Sequence, residues 1–113
     1  MHDPYECARA FAPYIPENVL ILASGASCRD EEGHLHAYNA SYMFYWLDRK
    51  GFNICLEEQS VGVIKSLVKR GARYFVAERW TLDSQPGFES DLRKEFKLIK
   101  ECKEAVLFEL NKD

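Results

Sequence analysis

The sequence predicts an α/β domain, a three-layer sandwich with a mostly parallel sheet of about five strands and an antiparallel C-terminal hairpin. Three observations carry that prediction. Val19-Leu20-Ile21-Leu22-Ala23 is a continuous apolar run of strand length, the pattern of a strand covered on both faces. A helix-stop-strand pattern occurs twice, at Asp48-Arg49-Lys50-Gly51-Phe52-Asn53-Ile54 and at Val68-Lys69-Arg70-Gly71-Ala72-Arg73-Tyr74-Phe75-Val76. Basic side chains favour the negative C-terminal end of a helix, and glycine tolerates the left-handed cap. The tail then changes period: Val106, Phe108 and Leu110 alternate with Leu107 and Glu109, as in a strand.

In chain order, Asp3-Pro4-Tyr5-Glu6 predicts a helix start, with Asp3 as cap and Pro4 in the first turn. Cys7, Phe11, Tyr14 and Ile15 form one apolar stripe, and Pro16 ends it. The first strand follows over residues 19–23. Residues 24–38 form a polar loop, long for a compact α/β unit. Asn39 caps a second helix, Ala40 to Lys50, rich in aromatics, and Gly51 stops it before a strand from Phe52 to Leu56. Ser60 caps a third helix that buries Val63, Ile64, Leu67 and Val68. Gly71 stops it before a strand from Arg73 to Glu78. Trp80 to Gly87 has the composition of a turn-rich connection. Phe88, Leu92 and Phe96 mark a short fourth helix. Residues 97–102 and 106–110 make the closing hairpin.

Composition narrows the class. A chain of 113 residues is one domain with room for a core. Its hydrophobic fraction of 47% and aromatic fraction of 13% exclude disorder. A net charge of -3 disfavours nucleic acid as a partner. No apolar run approaches the ~20 residues of a membrane span, and no signal peptide is visible. The cysteines at 7, 28, 55 and 102 form no C-x-x-C pair. Cys7, Cys55 and Cys102 lie in amphipathic segments and suit small buried hydrophobes, while their even number also permits disulfides.

In open parallel sheets, ligands bind beyond the carboxyl ends of the strands, where strand order reverses. If the first strand is central, the loop Ser24-Gly25-Ala26-Ser27-Cys28 occupies that place. Ser24, Gly25 and Ser27 there, with His34 and His36 further along, are the candidate ligand-binding residues, suited to a phosphate or a sugar hydroxyl. Neither G-x-G-x-x-G nor G-x-x-x-x-G-K-[ST] is present. Cys28, Asp30, Glu31, Glu32, His34 and His36 are the densest group of metal-ligating types. Flexible acids dominate it, so a solvated loop is the expectation, with no metal and no cofactor. Cys28 beside a histidine lacks the context of a protease site, and Glu57-Glu58 suit the approach to a helix N-terminus. No catalytic residue is assigned.

The order of segments resembles a known group. A helix ending in Tyr14-Ile15-Pro16-Glu17-Asn18 precedes Val19-Leu20-Ile21-Leu22. Tyr45-Trp46-Leu47-Asp48-Arg49-Lys50-Gly51-Phe52 and Leu67-Val68-Lys69-Arg70-Gly71-Ala72-Arg73-Tyr74-Phe75-Val76 follow. Phe96-Lys97-Leu98-Ile99 and Val106-Leu107-Phe108-Glu109-Leu110 close the chain. This order resembles the soluble C-terminal domain of polytopic membrane glycosyltransferases of the dolichyl-phosphate-mannose–protein mannosyltransferase superfamily, which includes bacterial aminoarabinose-transferase-like relatives. The resemblance implies a non-catalytic extracytoplasmic domain cut from a larger membrane enzyme. Its partners would be the transmembrane part of the parent chain and, through it, a polyprenyl-phosphate sugar donor and an acceptor. The catalytic acids of that superfamily lie in loops between transmembrane helices, so none is carried over. The rival expectation is a stand-alone module of Rossmann-like or flavodoxin-like topology that binds a nucleotide or sugar phosphate. A third is a dimerisation domain that uses Phe108 and its hairpin as a sheet edge.

Overall fold

A computed structural model describes residues 4–24, 47, 50–54 and 59–110. Helix α1 spans Pro4–Phe11 and runs into a 3-10 turn, Ala12–Tyr14. Strands β1 (Leu20–Ser24) and β2 (Lys50–Ile54) follow, then α2 (Val61–Val68) and β3 (Ala72–Glu78). Two helices, α3 (Arg79–Asp83) and α4 (Pro86–Glu95), lead to the hairpin of β4 (Lys97–Glu101) and β5 (Ala105–Glu109).

The sheet has five strands in the order β2-β1-β3-β5-β4. Strand β1 pairs in parallel with both β2 and β3. Strand β5 pairs antiparallel with both β3 and β4. The sheet is therefore mixed, parallel at one end and antiparallel at the other, and the antiparallel C-terminal hairpin expected from the sequence is present as β4 and β5. The reason is topological: β5 returns directly from β4 through a tight turn, and such a return is antiparallel. The hairpin also enters the sheet in an unexpected order. Strand β5 lies inside and β4 forms the edge, so Phe108, fully buried, is not an edge residue.

Two apolar clusters occupy the two faces of the sheet. One joins Leu22, Phe75 and Phe108 to Ile64 of α2 and to Phe88 and Leu92 of α4. The other joins Ile21, Ala23, Val76 and Leu107 to Cys7, Ala8 and Phe11 of α1. Alternation along each strand produces this split, since neighbouring side chains point to opposite faces. Along α1 and the turn that follows it, Cys7, Phe11 and Ile15 are buried as the stripe predicts, whereas Tyr14 is 46% exposed. Ser60 caps α2, its Oγ accepting the Val63 N–H at 3.1 Å. Ile64 is the fully buried residue of that helix; Leu67 and Val68 pack partly, and Val61 packs in place of Val63.

Three expectations need correction. Residues 79–83 form a helix, not part of a turn-rich connection. Lys50 and Gly51 belong to β2, so the aromatic helix cannot reach Lys50 and Gly51 does not cap it. Apart from buried, helical Leu47, that helix lies outside the described residues, as do Asp3, Cys55 and Leu56. Finally, Cys7 and Cys102 are not simply buried hydrophobes, because they form a disulfide across a sequence separation of 95, with Cα atoms 5.7 Å apart. Cysteines 28 and 55 lie outside the described residues.

Candidate functional site at the carboxyl ends of the parallel strands

Strand β1 has a parallel neighbour on each side. The chain goes from β1 to β2 on one side, then through α2 to β3 on the other. Strand order thus reverses at the β1–β3 seam, where open α/β sheets place their ligands. Three chain segments reach that end of the sheet: the last residue of β1, the end of β3 with α3, and the entry to α2.

Ser24 ends β1 and is fully buried. Its Oγ accepts the backbone N–H of Glu78 at 2.7 Å, so the hydroxyl ties the two parallel strands together at the seam. Among the candidate site residues, Ser24 therefore has a described structural bond. Gly25, Ser27, His34 and His36 lie outside the described residues, as do Cys28, Asp30, Glu31, Glu32, Glu57 and Glu58.

Sequence reasoning missed Glu78 and Trp80. Glu78 closes β3, and its carboxylate accepts the Trp80 indole N–H at 3.1 Å. Burial pushes the Glu78 pKa up, and the Glu104 carboxylate adds to the rise, against the lowering effect of the Trp80 hydrogen bond. Trp80 itself is 48% exposed, an aromatic face held in place by its own hydrogen bond. An acid at the carboxyl end of an apolar strand, followed two residues later by tryptophan, was the available signal. The turn-like composition after Trp80 masked it.

Behind this rim lies a polar brace. Gln59 Nε2 donates to the Thr81 carbonyl at 3.2 Å and to Gln85 Oε1 at 3.1 Å. Thr81 Oγ1 donates to the Glu78 carbonyl at 2.8 Å. The Gln59 side-chain oxygen is buried without a hydrogen-bond partner among the described residues. The brace fixes α3 to the start of α2, and so fixes where Trp80 stands.

A protonation-prone carboxyl beside a presented indole suits a ligand with hydroxyls on one edge and an apolar face on the other. Among the described residues, no His, Cys, Asp or Glu group is arranged to hold a metal ion. At the opposite end of the sheet lies a groove of about 250 Å³, lined by Pro16, Val19, Arg73, Tyr74 and Glu109. Burial raises the Tyr74 pKa there, and Glu109 raises it further, so the phenol stays protonated.

Fold and site thus define an α/β domain with a mixed five-stranded sheet and a polar seam at the carboxyl ends of its parallel strands. No protein-family model, curated protein or solved structure matches the chain.

Proposed function

We propose that this chain is a non-catalytic extracytoplasmic domain of a membrane glycosyltransferase that transfers sugar from a polyprenyl-phosphate donor. In this reading it supports acceptor binding or the active-site loops of the parent enzyme. The observation that carries it is the Cys7–Cys102 disulfide. Such bonds persist in oxidising compartments and are rare where thiols are kept reduced. That argues for the extracytoplasmic side, which is where the resemblance in segment order puts such a domain. No described helix is long and apolar enough to cross a membrane, so the spans belong to the parent. The same reading takes the fold as a three-layer sandwich of Rossmann-like order, supported by the β2-β1-β3 arrangement and by the apolar cluster on each face.

The coding sequence upstream of Met1 tests the proposal. Several apolar spans of ~20 residues are expected there. A reading frame that lacks them overturns it.

A second reading rests on a different observation, the presented Trp80 and its Glu78 partner at the seam. It makes the chain a binding module for a sugar phosphate or nucleotide. A thermal-shift screen against both ligand classes tests it. A shift that disappears in Trp80→Ala supports the module, and no shift at millimolar ligand overturns it.

A further inference from the structure

Charge is unevenly placed in this molecule. Residues 93–103 carry five basic and two acidic side chains, a surplus of three in a chain whose net charge is -3. Both acids are already engaged: Glu95 pairs with Lys65 at 2.9 Å, and Glu101 lies 3.5 Å from Arg79 and 3.6 Å from Arg93. Lys94, Lys97, Lys100 and Lys103 are all exposed, and none has an ion-pair partner among the described residues.

Three of these lysines follow the free edge of the sheet, because β4 is the outermost strand and Lys103 lies in the turn after it. A register shift between Leu98 and Lys100 brings Lys97 opposite Glu109 and Lys100 opposite Leu107. Glu109 and Leu107 share a face, so Lys97 and Lys100 share it too. Three strand residues span roughly 10 Å, about the Debye length at 0.1 M salt, so the lysine fields add. Acids without a salt bridge near these lysines include Glu104 in the turn, Glu109 opposite Lys97, and Asp91, which lines a groove with Lys94. Apolar groups flank the row. On the lysine face, Tyr14 is 46% exposed with the Lys100 ammonium 5.9 Å from its ring centre; on the other face of β4, opposite Phe108, Leu98 is 37% exposed.

We propose that the β4 edge docks this domain on an anionic lipid surface. Unpaired lysines complement phosphate-bearing headgroups, and their long stems let the ammonium reach outward while Tyr14 beside Lys100 meets the interface. The choice of a bilayer over another polyanion rests on the membrane-enzyme reading above, together with the exposed Tyr14. The same lysines keep the edge from pairing with a second strand, since charge along an edge opposes sheet extension.

The test uses the 113-residue chain and vesicle sedimentation. Vesicles of phosphatidylcholine alone are compared with vesicles in which roughly a third of the lipid is phosphatidylglycerol. Binding to the anionic vesicles alone is expected, and it should disappear as salt rises from about 0.1 to about 0.5 M. Each lysine at the surface contributes roughly fivefold, so replacing Lys94, Lys97, Lys100 and Lys103 together by Gln should weaken binding by more than ~100-fold. Circular dichroism checks that this variant is folded, and Lys97→Gln/Lys100→Gln gives an intermediate loss if the row acts as a unit. Equal binding to neutral vesicles, no binding to anionic ones, or full binding by the folded four-lysine variant would overturn the proposal. Tighter binding to duplex DNA at equal phosphate concentration would reassign the edge to nucleic acid and overturn it as well. The readout does not depend on the parent gene. An upstream frame without membrane spans would remove the proposed enzyme and leave measured vesicle binding standing, and failed vesicle binding would leave the enzyme reading untouched.

Discussion

Two glycines with the same sequence context serve different physical needs. Gly71 has φ of 115°, and its N–H donates to the Val68 carbonyl at 3.0 Å, so it turns the chain out of α2 as the sequence predicts. Gly51 instead sits in β2 opposite Ile21, and a Cβ added there would overlap the Ile21 carbonyl oxygen. Close approach of two backbones, not backbone handedness, selects glycine at 51. Gly71→Ala should cost roughly 1–2 kcal/mol. Gly51→Ala should cost about 4 kcal/mol or more, because a strand must move. Urea unfolding of both variants checks the order, and an equal loss would contradict the close approach. Glu78 offers a second residue-scale prediction. Its folded pKa is raised, so the native state holds this proton more tightly than the unfolded chain. Stability therefore falls as pH rises from the ordinary carboxyl range through the folded pKa. Glu78→Gln keeps an acceptor for Trp80 and removes the charge. It should melt higher than the parent at neutral pH, with the gap closing in acid. A gap that is the same at all pH values would show that the carboxyl is not the cause.

At the scale of elements, α3 is the helix that composition hid. Ser84, Pro86 and Gly87 have turn chemistry, but only Ser84 and Gln85 link the two helices, and Pro86 and Gly87 open α4, where proline suits the first turn. Besides the Gln59 brace, Arg79 holds α3 in place. Its guanidinium meets Glu89 of α4 at 3.1 Å and Asp83 at 3.3 Å, and lies 3.5 Å from Glu101 of β4. Arg93 adds a contact to Glu89 at 2.9 Å. Burial acts to raise the Glu89 pKa, but hydrogen bonds and charge from Arg93 and Arg79 outweigh it and hold the carboxyl below its ordinary range. The resulting stability is present above the unfolded carboxyl pKa and is lost as pH falls through the lower folded value. Glu89→Ala should cost about 1–3 kcal/mol at neutral pH, since Arg79 and Arg93 both lose their shared carboxylate and Arg79 keeps only Asp83 and Glu101. The deficit should shrink in acid, which urea midpoints measured across pH will reveal. Helix α2 was more legible, because its cap and its stop are both local: Ser60 bonds within the first turn, and Gly71 closes the last.

The whole molecule is closed by a covalent bond between its distant ends. Cys7 lies on α1 and Cys102 just after β4, with a sequence separation of 95. A loop that long loses much unfolded-state freedom on closure, so Cys102→Ser should cost about 2–5 kcal/mol. The same loss should follow reduction of the unaltered chain, and the variant should no longer respond to reductant. Unchanged midpoints after reduction would argue against the bond. Local pattern could show that both cysteines are apolar-facing, but it could not pair them, because pairing needs α1 and the β4–β5 turn to meet on one face of the sheet. The same limit applies to the candidate site. Ser24, read from sequence as the first residue of the loop, is instead the buried last residue of β1, because its hydroxyl finds a partner across the seam in the Glu78 N–H. Glu78 and Trp80 were not legible as site residues, because their meaning depends on β3 lying beside β1. By itself the sequence determined where most of the described strands and helices form, α3 and the start of β2 apart, since period, caps and stops act within a few residues. The tertiary structure alone decided that β5 lies inside β4 and beside β3, that Gly51 must lack a side chain and that Cys7 meets Cys102. Each of those is a contact between segments far apart in the chain, and burial of both faces of one sheet selects them.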